Sequence, residues 1–571
     1  MYALIKEEIR GLLKKASGES LTPAEIKEST KGDYTSTIAF KLASKRKSNP
    51  VELAKEITGE ITPGGVVKNV EAVNGYINFS LDYSVIIIPL LKDLRERKSG
   101  YGGSGRKNRK VILEHTSINP SGPLHIGRVR NSLIGDSLAR VLKFSGYEVE
   151  THYFVNDVGK QIAIIALGFK EGLKPDRDAI ERYGRYKEKE DFKVFFEYIS
   201  ANKKFMEDPG FARRVQEYIK KAESGDEGAL NEISDVARRC LKGQKEIFQI
   251  LKIHFDRFDF ESDYIKRGDV SAVLEFLRGS EYAKTSEKGF GLDLAGFGIE
   301  RRGGVSILAR ADGTSVYLSR DVAYHLQKSK LGDLLINVFG EDHKFEFLEL
   351  KTILGKIYNV KTPLEVVHYS FVNFEGEELS TRKGQTAPVD KLLEEAVSKA
   401  ELEIEKRGIA SKEVAPVIGI GAIKYHILKT SPQKPITFRW SEALNFEGDA
   451  APYIQYAHAR CSSIIKKSGI GVDEIDVDGI DLGLEKSEVD LIRHILKFPE
   501  VVKETASEKK PNIIANYLYK LSTGFSRFYK NCPVLPSEGK IRERRLLLVD
   551  ATRQVLKNGL NLLGIEAPEK M

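Results

Sequence analysis

A strand-to-helix turn over residues 114–128 constrains the fold more than any other part of the sequence. The residues just before it, 110–113, are mostly apolar and β-branched, which predicts a strand. The apolar residues after it recur at helical spacing: Val129, Leu133, Leu138, Val141 and Leu142. The turn reads EHTSINPSGPLHIGR and is dense in small and polar residues. In an open α/β sheet, a turn of this kind lies at the carboxyl end of a strand, where ligands bind.

The composition of the turn indicates a phosphate-bearing ligand. Gly122 and Gly127 allow a ligand to approach the backbone closely. The helix that follows presents unpaired N–H groups and the positive end of its dipole, both of which favour phosphate. His125 adds a side-chain donor at the same place. We therefore predict a nucleotide-binding site at this turn.

Length and composition are those of a globular protein of several domains. The 571 residues suggest three or four domains, and 41% hydrophobic with 30% charged residues allows an ample core. The formal net charge of +8 permits a polyanionic partner without requiring one. The three cysteines, Cys240, Cys461 and Cys532, are far apart, so neither a zinc site nor a disulfide framework is predicted.

Sequence signals for export or membrane insertion are missing. The first ten residues include several charged side chains, unlike a signal peptide, and no apolar run approaches the roughly 18 residues that a membrane span needs. We expect a cytoplasmic protein with no membrane partner.

The rest of the chain divides into segments of different character. Residues 1 to about 80 read as a small α/β module, and the glycine-rich, basic stretch 100–109 reads as a flexible linker. Residues 148–155 predict a second strand, whose following turn either faces the active site or is an ordinary helix cap made by Asn156 or Asp157. The charge-dense region of about 170–260 predicts a helical insertion.

The sheet is expected to resume near residue 306. Asp312-Gly313 between two apolar runs predicts a hairpin, and 334–339 and 364–372 predict further strands. After Val389 the pattern is helix upon helix.

Two motifs carry a resemblance to class I aminoacyl-tRNA synthetases. Residues 125–128, His-Ile-Gly-Arg, resemble the first signature of that class, His-Ile-Gly-His, with Arg128 in place of the second histidine. Residues 380–384, Ser-Thr-Arg-Lys-Gly, resemble the second signature in the form found in arginyl-tRNA synthetases. Glu378 stands where that signature has its first lysine, so Arg382 and Lys383 must supply the positive charge.

The amino-acid pocket resembles that of the arginyl family. Tyr317 and Asp321, four residues apart on one helix face, match a Tyr-x-x-x-Asp pattern whose aspartate binds the guanidinium. The alternative is a helix-capping Asp321 with a packed Tyr317. Glu114, Ser117 and Asn119 match residues that bind the amino and carboxylate groups of the substrate.

A further acid is expected at the end of a strand in the same pocket. Glu341 or Asp342 falls near a family glutamine, and of the two Glu341 is expected to bind arginine; an acid in place of an amide is a departure from the pattern. The nearby His343 is either part of the site or a core histidine.

Contacts with tRNA are implied at both ends of the chain. The stretch from Tyr453 to Arg460 resembles the arginyl anticodon-binding bundle, in which aromatic side chains stack on unpaired bases. The amino-terminal Gly-Asp-Tyr and Gly-Tyr-Ile-Asn-Phe segments are similar to the domain that touches the tRNA elbow. For any single aromatic residue, an apolar helix face is the alternative. The tRNA-binding residues implied are Tyr34, Asn78, Trp440, Tyr453, Gln455 and Tyr456.

Together the resemblances imply an α/β fold with a Rossmann-type parallel-sheet catalytic domain. They place a small α+β domain at 1–100, the catalytic domain at 101–390 and an all-α anticodon-binding bundle at 391–571. The catalytic residues implied are His125, Gly127, Arg128, Ser380, Arg382 and Lys383. The ATP-binding residues implied are Pro120, Gly122, His125, Ile126, Gly127, Arg128 and Lys383.

The activity implied is an archaeal-style arginine–tRNA ligase. Its ligands are ATP with Mg²⁺, L-arginine and tRNA(Arg), with no tightly bound metal and a monomeric chain. Two alternatives stay open at this point. One is a class I synthetase for another amino acid, which would not call for Asp321. The other is a non-catalytic RNA-binding relative, for which the changes at Arg128 and Glu378 would be the marks.

Overall fold

The computed structural model describes residues 2–22, 25–29, 31–301, 303–375, 388–408 and 411–571. Its amino-terminal part is an antiparallel sheet covered by helices, with strand order β1-β2-β4-β3. The elements are α1 (Tyr2–Ser17), β1 (Ile26–Glu28), β2 (Tyr34–Ser36), α2 (Ile38–Arg46), α3 (Pro50–Gly59), β3 (Val67–Val73), β4 (Tyr76–Leu81) and α4 (Tyr83–Arg97). Val73 pairs with Tyr76, and Asn74 and Gly75 between them both have positive φ, as a type I′ hairpin turn requires.

The catalytic part is built on a parallel sheet, as predicted. Its first half comprises β5 (Lys110–Glu114), α5 (Ile126–Phe144), β6 (Glu148–Val155), α6 (Lys160–Lys170), α7 (Arg177–Tyr183), α8 (Glu190–Glu207), α9 (Pro209–Glu223), α10 (Glu227–Ile250) and β7 (Arg257–Phe260). Helices α7 to α10 form the predicted insertion, and together with α6 they enclose two further apolar clusters.

The second half returns to the same sheet. It comprises α11 (Glu261–Lys266), α12 (Asp269–Arg278), β8 (Ala283–Ser286), β9 (Gly289–Leu292), β10 (Ser306–Arg310), α13 (Tyr317–Lys328), β11 (Leu334–Gly340), α14 (Lys344–Thr352), β12 (Leu364–Tyr369), β13 (Val372–Phe374) and α15 (Val389–Arg407). Within the described residues the main sheet has the order β12-β11-β5-β6-β7, all parallel. The strand order reverses between β5 and β11, which opens a ligand crevice at their carboxyl ends.

Two details of the predicted strands are wrong. The Asp312-Gly313 turn is present, with Gly313 at φ +89°, but Tyr317 starts a helix instead of a second hairpin strand. The apolar residues after the turn follow a helical spacing, and their side chains pack on the sheet as one face of α13. Strand β10 therefore pairs with β9 and not with the segment after the turn. The strand predicted over 364–372 breaks after Tyr369, and β13 pairs with a strand of the carboxyl-terminal part.

The carboxyl-terminal part is a bundle of long helices. It comprises α16 (Ala415–Leu428), β14 (Ile436–Phe438), α17 (Trp440–Ala443), α18 (Ala451–Ser468), α19 (Lys486–Glu508), α20 (Asn512–Asn531) and α21 (Gly539–Leu562). Its core is continuous with that of the amino-terminal domain and of one face of the parallel sheet. The three parts of the chain are therefore packed on one another.

The glycine-rich stretch 100–109 is not a free linker at its start. Tyr101 is buried, and its hydroxyl donates to the carbonyl of Ile495 at 3.2 Å. Gly102 has φ +94°, and a Cβ there would lie 2.4 Å from the ring of Phe498. Glycine is needed at this position because the chain turns directly against α19.

Among the helices of the described residues, we find none long and apolar enough to cross a membrane.

Candidate active site

The turn between β5 and α5 has an unusual backbone conformation. Thr116 and Ser117 both have positive φ, at 81° and 36°, which residues with a Cβ rarely adopt. Two hydrogen bonds to α5 hold Thr116 there. Its N–H donates to Asn131 Oδ1 and its hydroxyl to Ser132 Oγ, each at 2.9 Å. Such strain, fixed by the surrounding structure, is typical of functional sites.

His125 lies at the N-cap of α5, facing the crevice. Among the described residues no side chain caps this helix, so its first N–H groups and positive dipole end are available to an anion. Burial and the positive charge of Arg128 lower the pKa of His125 to about 4, so its ring is neutral near pH 7. Its Nδ1 is buried without a partner in the described part of the chain. A neutral imidazole beside an arginine is suited to hydrogen bonding with ATP.

Glu114 ends β5 in a buried ion pair with Lys328. Lys328 Nζ lies 2.6 Å from Glu114 Oε2 and donates to Asn337 Oδ1 at 2.6 Å. Ser117 Oγ donates to the other oxygen of Glu114 at 3.2 Å. Although burial opposes ionisation, Lys328 and His325 hold the pKa of Glu114 below its usual range. The carboxylate is thus charged and fixed in orientation.

Asp321 lies one turn into α13, and its carboxylate is unpaired within the described part of the chain. No cation among the described residues is within ion-pair distance of it. Burial, together with the nearby carboxylates of Glu114 and Glu261, raises the pKa of Asp321 well above its usual range. Because α13 begins at Tyr317 after the N-cap residue Val316, Asp321 lies inside the helix and is not the helix cap of the alternative interpretation. A cationic ligand would relieve the repulsion.

A second network fixes the start of α13. Arg320, fully buried, pairs with Glu223 of the insertion at 2.7 Å and with Glu261 at 3.2 Å. Glu223 also accepts from the N–H and hydroxyl of Ser315. The second oxygen of Glu261 is buried without a partner in the described residues. Glu261 therefore contributes a further, incompletely satisfied carboxylate close to Asp321.

The other predicted pocket residues line the same edge of the sheet. The amide of Asn119 donates to Gln161 at 3.2 Å and accepts from Asn156 at 3.4 Å. Glu341 follows β11 and accepts from the hydroxyl of Ser370 at 2.6 Å. Tyr317 is 53% exposed at the start of α13.

Two open interpretations of single residues are settled by burial. His343 is exposed, which removes the interpretation as a core histidine. Asp157 is buried and accepts from Ser234 and Ser262, so it anchors the insertion instead of capping α6.

Several residues predicted to bind ATP have buried side chains or are glycines without one. Pro120 and Ile126 are buried, while the carbonyl of Gly122 accepts from Gln244 Nε2 at 2.8 Å. Gly127 lies in the first turn of α5. The predicted second arm, with Ser380, Arg382 and Lys383, lies outside the described residues. The residues that are described contain no cluster of three or more side chains suited to hold a metal ion.

The residues predicted to contact tRNA divide by accessibility. Tyr34, Asn78 and Gln455 are buried, so direct contact with RNA is not available to them in this structure. Gln455, for example, donates to the carbonyl of Glu566 at 2.9 Å and so holds the carboxyl-terminal tail. Trp440, Tyr453 and Tyr456 are partly exposed on the bundle.

An exposed aromatic pair lies next to the buried residues of the amino-terminal domain. Phe40 and Tyr76 are 37% and 44% exposed, with ring centroids 5.0 Å apart. They border a surface pocket of about 310 Å³ that Lys41 also lines. Sequence reasoning missed this pair, although Tyr76 lies within the Gly-Tyr-Ile-Asn-Phe segment singled out above.

Comparison with known proteins gives matches along the chain. Three family descriptions match: "Arginyl tRNA synthetase N terminal domain" over 3–81, "tRNA synthetases class I (R), catalytic domain" over 91–440 and "DALR anticodon binding domain" over 454–571. The arginine–tRNA ligase of Methanocaldococcus jannaschii is 41% identical, over 95% of this chain and 94% of that protein. The chain belongs to the arginyl-tRNA synthetase family.

Other members of the arginyl-tRNA synthetase family agree in sequence and fold. The arginine–tRNA ligase of Methanothermobacter thermautotrophicus is 40% identical, with both chains fully covered. The arginyl-tRNA synthetase of Thermus thermophilus superposes with a TM-score of 0.80 at 28% identity, covering 99% of this chain and 100% of that one. The match confirms the predicted α/β fold with its three kinds of domain.

Within this arginyl-tRNA synthetase fold, the structure adds residues that sequence reasoning missed. Lys328, Asn337 and Glu261 surround the predicted pocket residues Glu114 and Asp321. The one signal in the sequence was that Lys328 follows Asp321 at helical spacing, seven residues on.

Proposed function

We propose that this family member is an arginine–tRNA ligase. In the first step, the carboxylate of L-arginine attacks the α-phosphorus of ATP and pyrophosphate leaves. In the second, a ribose hydroxyl of the 3′-terminal adenosine of tRNA(Arg) attacks the carbonyl of the adenylate, and AMP leaves. Mg²⁺ enters with ATP as part of the substrate. We also propose a monomer that acts in translation, and hence in the cytoplasm.

The carboxylate of Asp321, which has no ion-pair partner among the described residues, carries the proposal for arginine. When ionised, Asp321 and the three acids Glu114, Glu223 and Glu261 carry four negative charges against the two cations Arg320 and Lys328, which leaves an excess of two negative charges. L-Arginine brings two cationic groups, the guanidinium and the α-amino group. A guanidinium pairs well with a planar carboxylate, and Glu261 offers a second acceptor. An amino acid with a neutral side chain would leave Asp321 without a cationic partner.

The N-terminus of α5 supports the proposal for ATP. Phosphoryl transfer relies on positioned donors more than on a protein nucleophile. The N–H groups of α5, His125 and Arg128 supply donors on one side of the crevice. We propose that Ser380, Arg382 and Lys383 supply those on the other side, with Arg382 and Lys383 replacing the lysine that Glu378 lacks.

Exposed aromatic groups support the proposal for tRNA. We propose that residues 1–100 and 391–571 bind the elbow and the anticodon arm, and that 101–390 is catalytic. The Phe40–Tyr76 pair and Tyr453 and Tyr456 offer ring faces on which unpaired bases can stack. Lys41 beside the first pair adds attraction for the backbone.

Charging of total tRNA tests the proposal. The purified chain is given ATP, Mg²⁺, tRNA and one amino acid at a time, and the aminoacyl ester is quantified. We expect esterification with arginine alone. Charging with another amino acid would contradict the assignment of Asp321. Binding of tRNA without any charging would identify a non-catalytic relative, with Arg128 and Glu378 as the changes to revert first.

A further inference from the structure

The helical insertion contacts the start of α15 through a largely buried lysine. Lys189, at the N-cap of α8, donates its ammonium to Asp390 Oδ1 in the first turn of α15. The two side chains are 18% and 6% exposed. A pair this buried is strongly disrupted when one partner is removed, because the other charge is left without compensation.

Asp191 completes the cluster from the first turn of α8. Its side chain is fully buried, and Oδ2 lies 3.7 Å from Lys189 Nζ. One oxygen each of Asp191 and Asp390 has no hydrogen-bond partner among the described residues. Lys189 therefore compensates two buried acids, one on the insertion and one on α15.

The start of α15 is bonded to the nucleotide-binding turn. Pro388 forms an antiparallel bridge with His125, and the N–H of Val389 donates to the carbonyl of Leu124 at 2.8 Å. Asp390 is the next residue along the chain. A shift of Asp390 would therefore be transmitted over one or two peptide units to the segment that holds His125.

A second contact ties the same insertion to the turn. Gln244 on α10 donates to the carbonyl of Gly122 at 2.8 Å. Its neighbour Gly243 lies against the cluster formed by Lys189, Asp191 and Asp390, since a Cβ at Gly243 would lie 2.3 Å from Asp191 Oδ1. Helix α10 thus contacts both the turn and the start of α8.

We propose that Lys189 is a positioning residue for the ATP site. Through Asp390 it fixes the start of α15 against the His125 segment, so that the insertion holds the ATP-binding turn in place. Lys189 itself does not touch the substrate. This inference rests on the proposed function, because it concerns the ATP step of that reaction.

Steady-state ATP–pyrophosphate exchange on the full chain, with tRNA present, tests the role. We expect Lys189→Met to raise the KM for ATP about tenfold and the KM for arginine less than twofold. Lys189→Arg should restore most of the loss. Asp390→Asn should reproduce the effect, and the double variant should be no worse than Lys189→Met, because both act through one contact.

Lys193→Met is the matched control, since Lys193 lies one turn along α8 and pairs with Glu190 of the same helix. It should behave like the wild type. An unchanged KM for ATP in both Lys189→Met and Asp390→Asn would overturn the inference, as would equal increases for ATP and arginine. If Lys189→Met fails to fold, the KM for ATP of Asp390→Asn tests the inference in its place. Absence of exchange in the wild type would instead contradict the proposed function.

Discussion

Replacing Asp321 by asparagine should lower kcat/KM for arginine by about a thousandfold, or about 4 kcal/mol of binding in the transition state. The reason is that the variant keeps the shape of the side chain but loses the charge that would pair with the guanidinium. The affinity for tRNA should stay the same, because Asp321 lies in the crevice and not on the bundle. Exchange kinetics and a tRNA-binding titration measure the two effects.

Stability separates this loss from misfolding. Glu114 and Glu261 repel the ionised Asp321 in the absence of substrate. Asp321→Asn should therefore leave the free energy of unfolding unchanged or raise it, while activity falls. Asp312→Asn is the control, since it makes the same chemical change on an exposed turn and should keep full activity. Normal arginine kinetics in Asp321→Asn would refute the guanidinium assignment.

Replacing Lys328 by methionine should destabilise the protein by about 3–5 kcal/mol, because it leaves Glu114 as a buried charge without its partner. The ammonium is fully buried and contacts both Glu114 and Asn337 at 2.6 Å. Urea unfolding followed by circular dichroism measures the loss. We also expect weaker arginine binding, since Glu114 loses its fixed orientation.

A double variant isolates the ion pair as the cause. Lys328→Met with Glu114→Gln removes both charges and should recover much of the stability, though not the activity. Lys330→Met is the control, because Lys330 lies two residues after the end of α13 and its side chain is exposed. The expected change in the free energy of unfolding is about 0.5 kcal/mol or less. A loss in Lys328→Met no larger than that of Lys330→Met would show that the pair does not stabilise the fold.

Local sequence signals were sufficient to predict the structure where it depends on residues that are close together in the sequence. The strand, turn and helix around residues 110–144 follow from periodicity and from the glycines of the turn. The apolar run 334–339 forms a buried parallel strand for the same reason. These elements fix the crevice, so its location was predictable.

Local sequence signals did not predict the structure where contacts with distant segments of the chain determine it. The Asp312-Gly313 dipeptide specifies a tight turn, but the packing of Leu318 and Val322 on the sheet makes the next segment a helix. The partner of Glu114, Lys328, comes from α13, and Lys328 is held in turn by Asn337 of β11, both far along the chain. Nothing in the local sequence of Tyr34 or Gln455 shows that tertiary packing buries them.

Comparison of arginine with citrulline tests most directly whether the pocket recognises the positive charge of the guanidinium group. Citrulline has nearly the same shape, but a neutral ureido group replaces the guanidinium. The measurement is ATP–pyrophosphate exchange by the wild-type chain, with tRNA present and each amino acid in turn. We predict that kcat/KM for citrulline is at least about a thousandfold below that for arginine, since Asp321 would then stay without a cationic partner. Similar kcat/KM values for the two amino acids would show that the pocket recognises the shape of the side chain and not its charge, and would contradict the role proposed for Asp321.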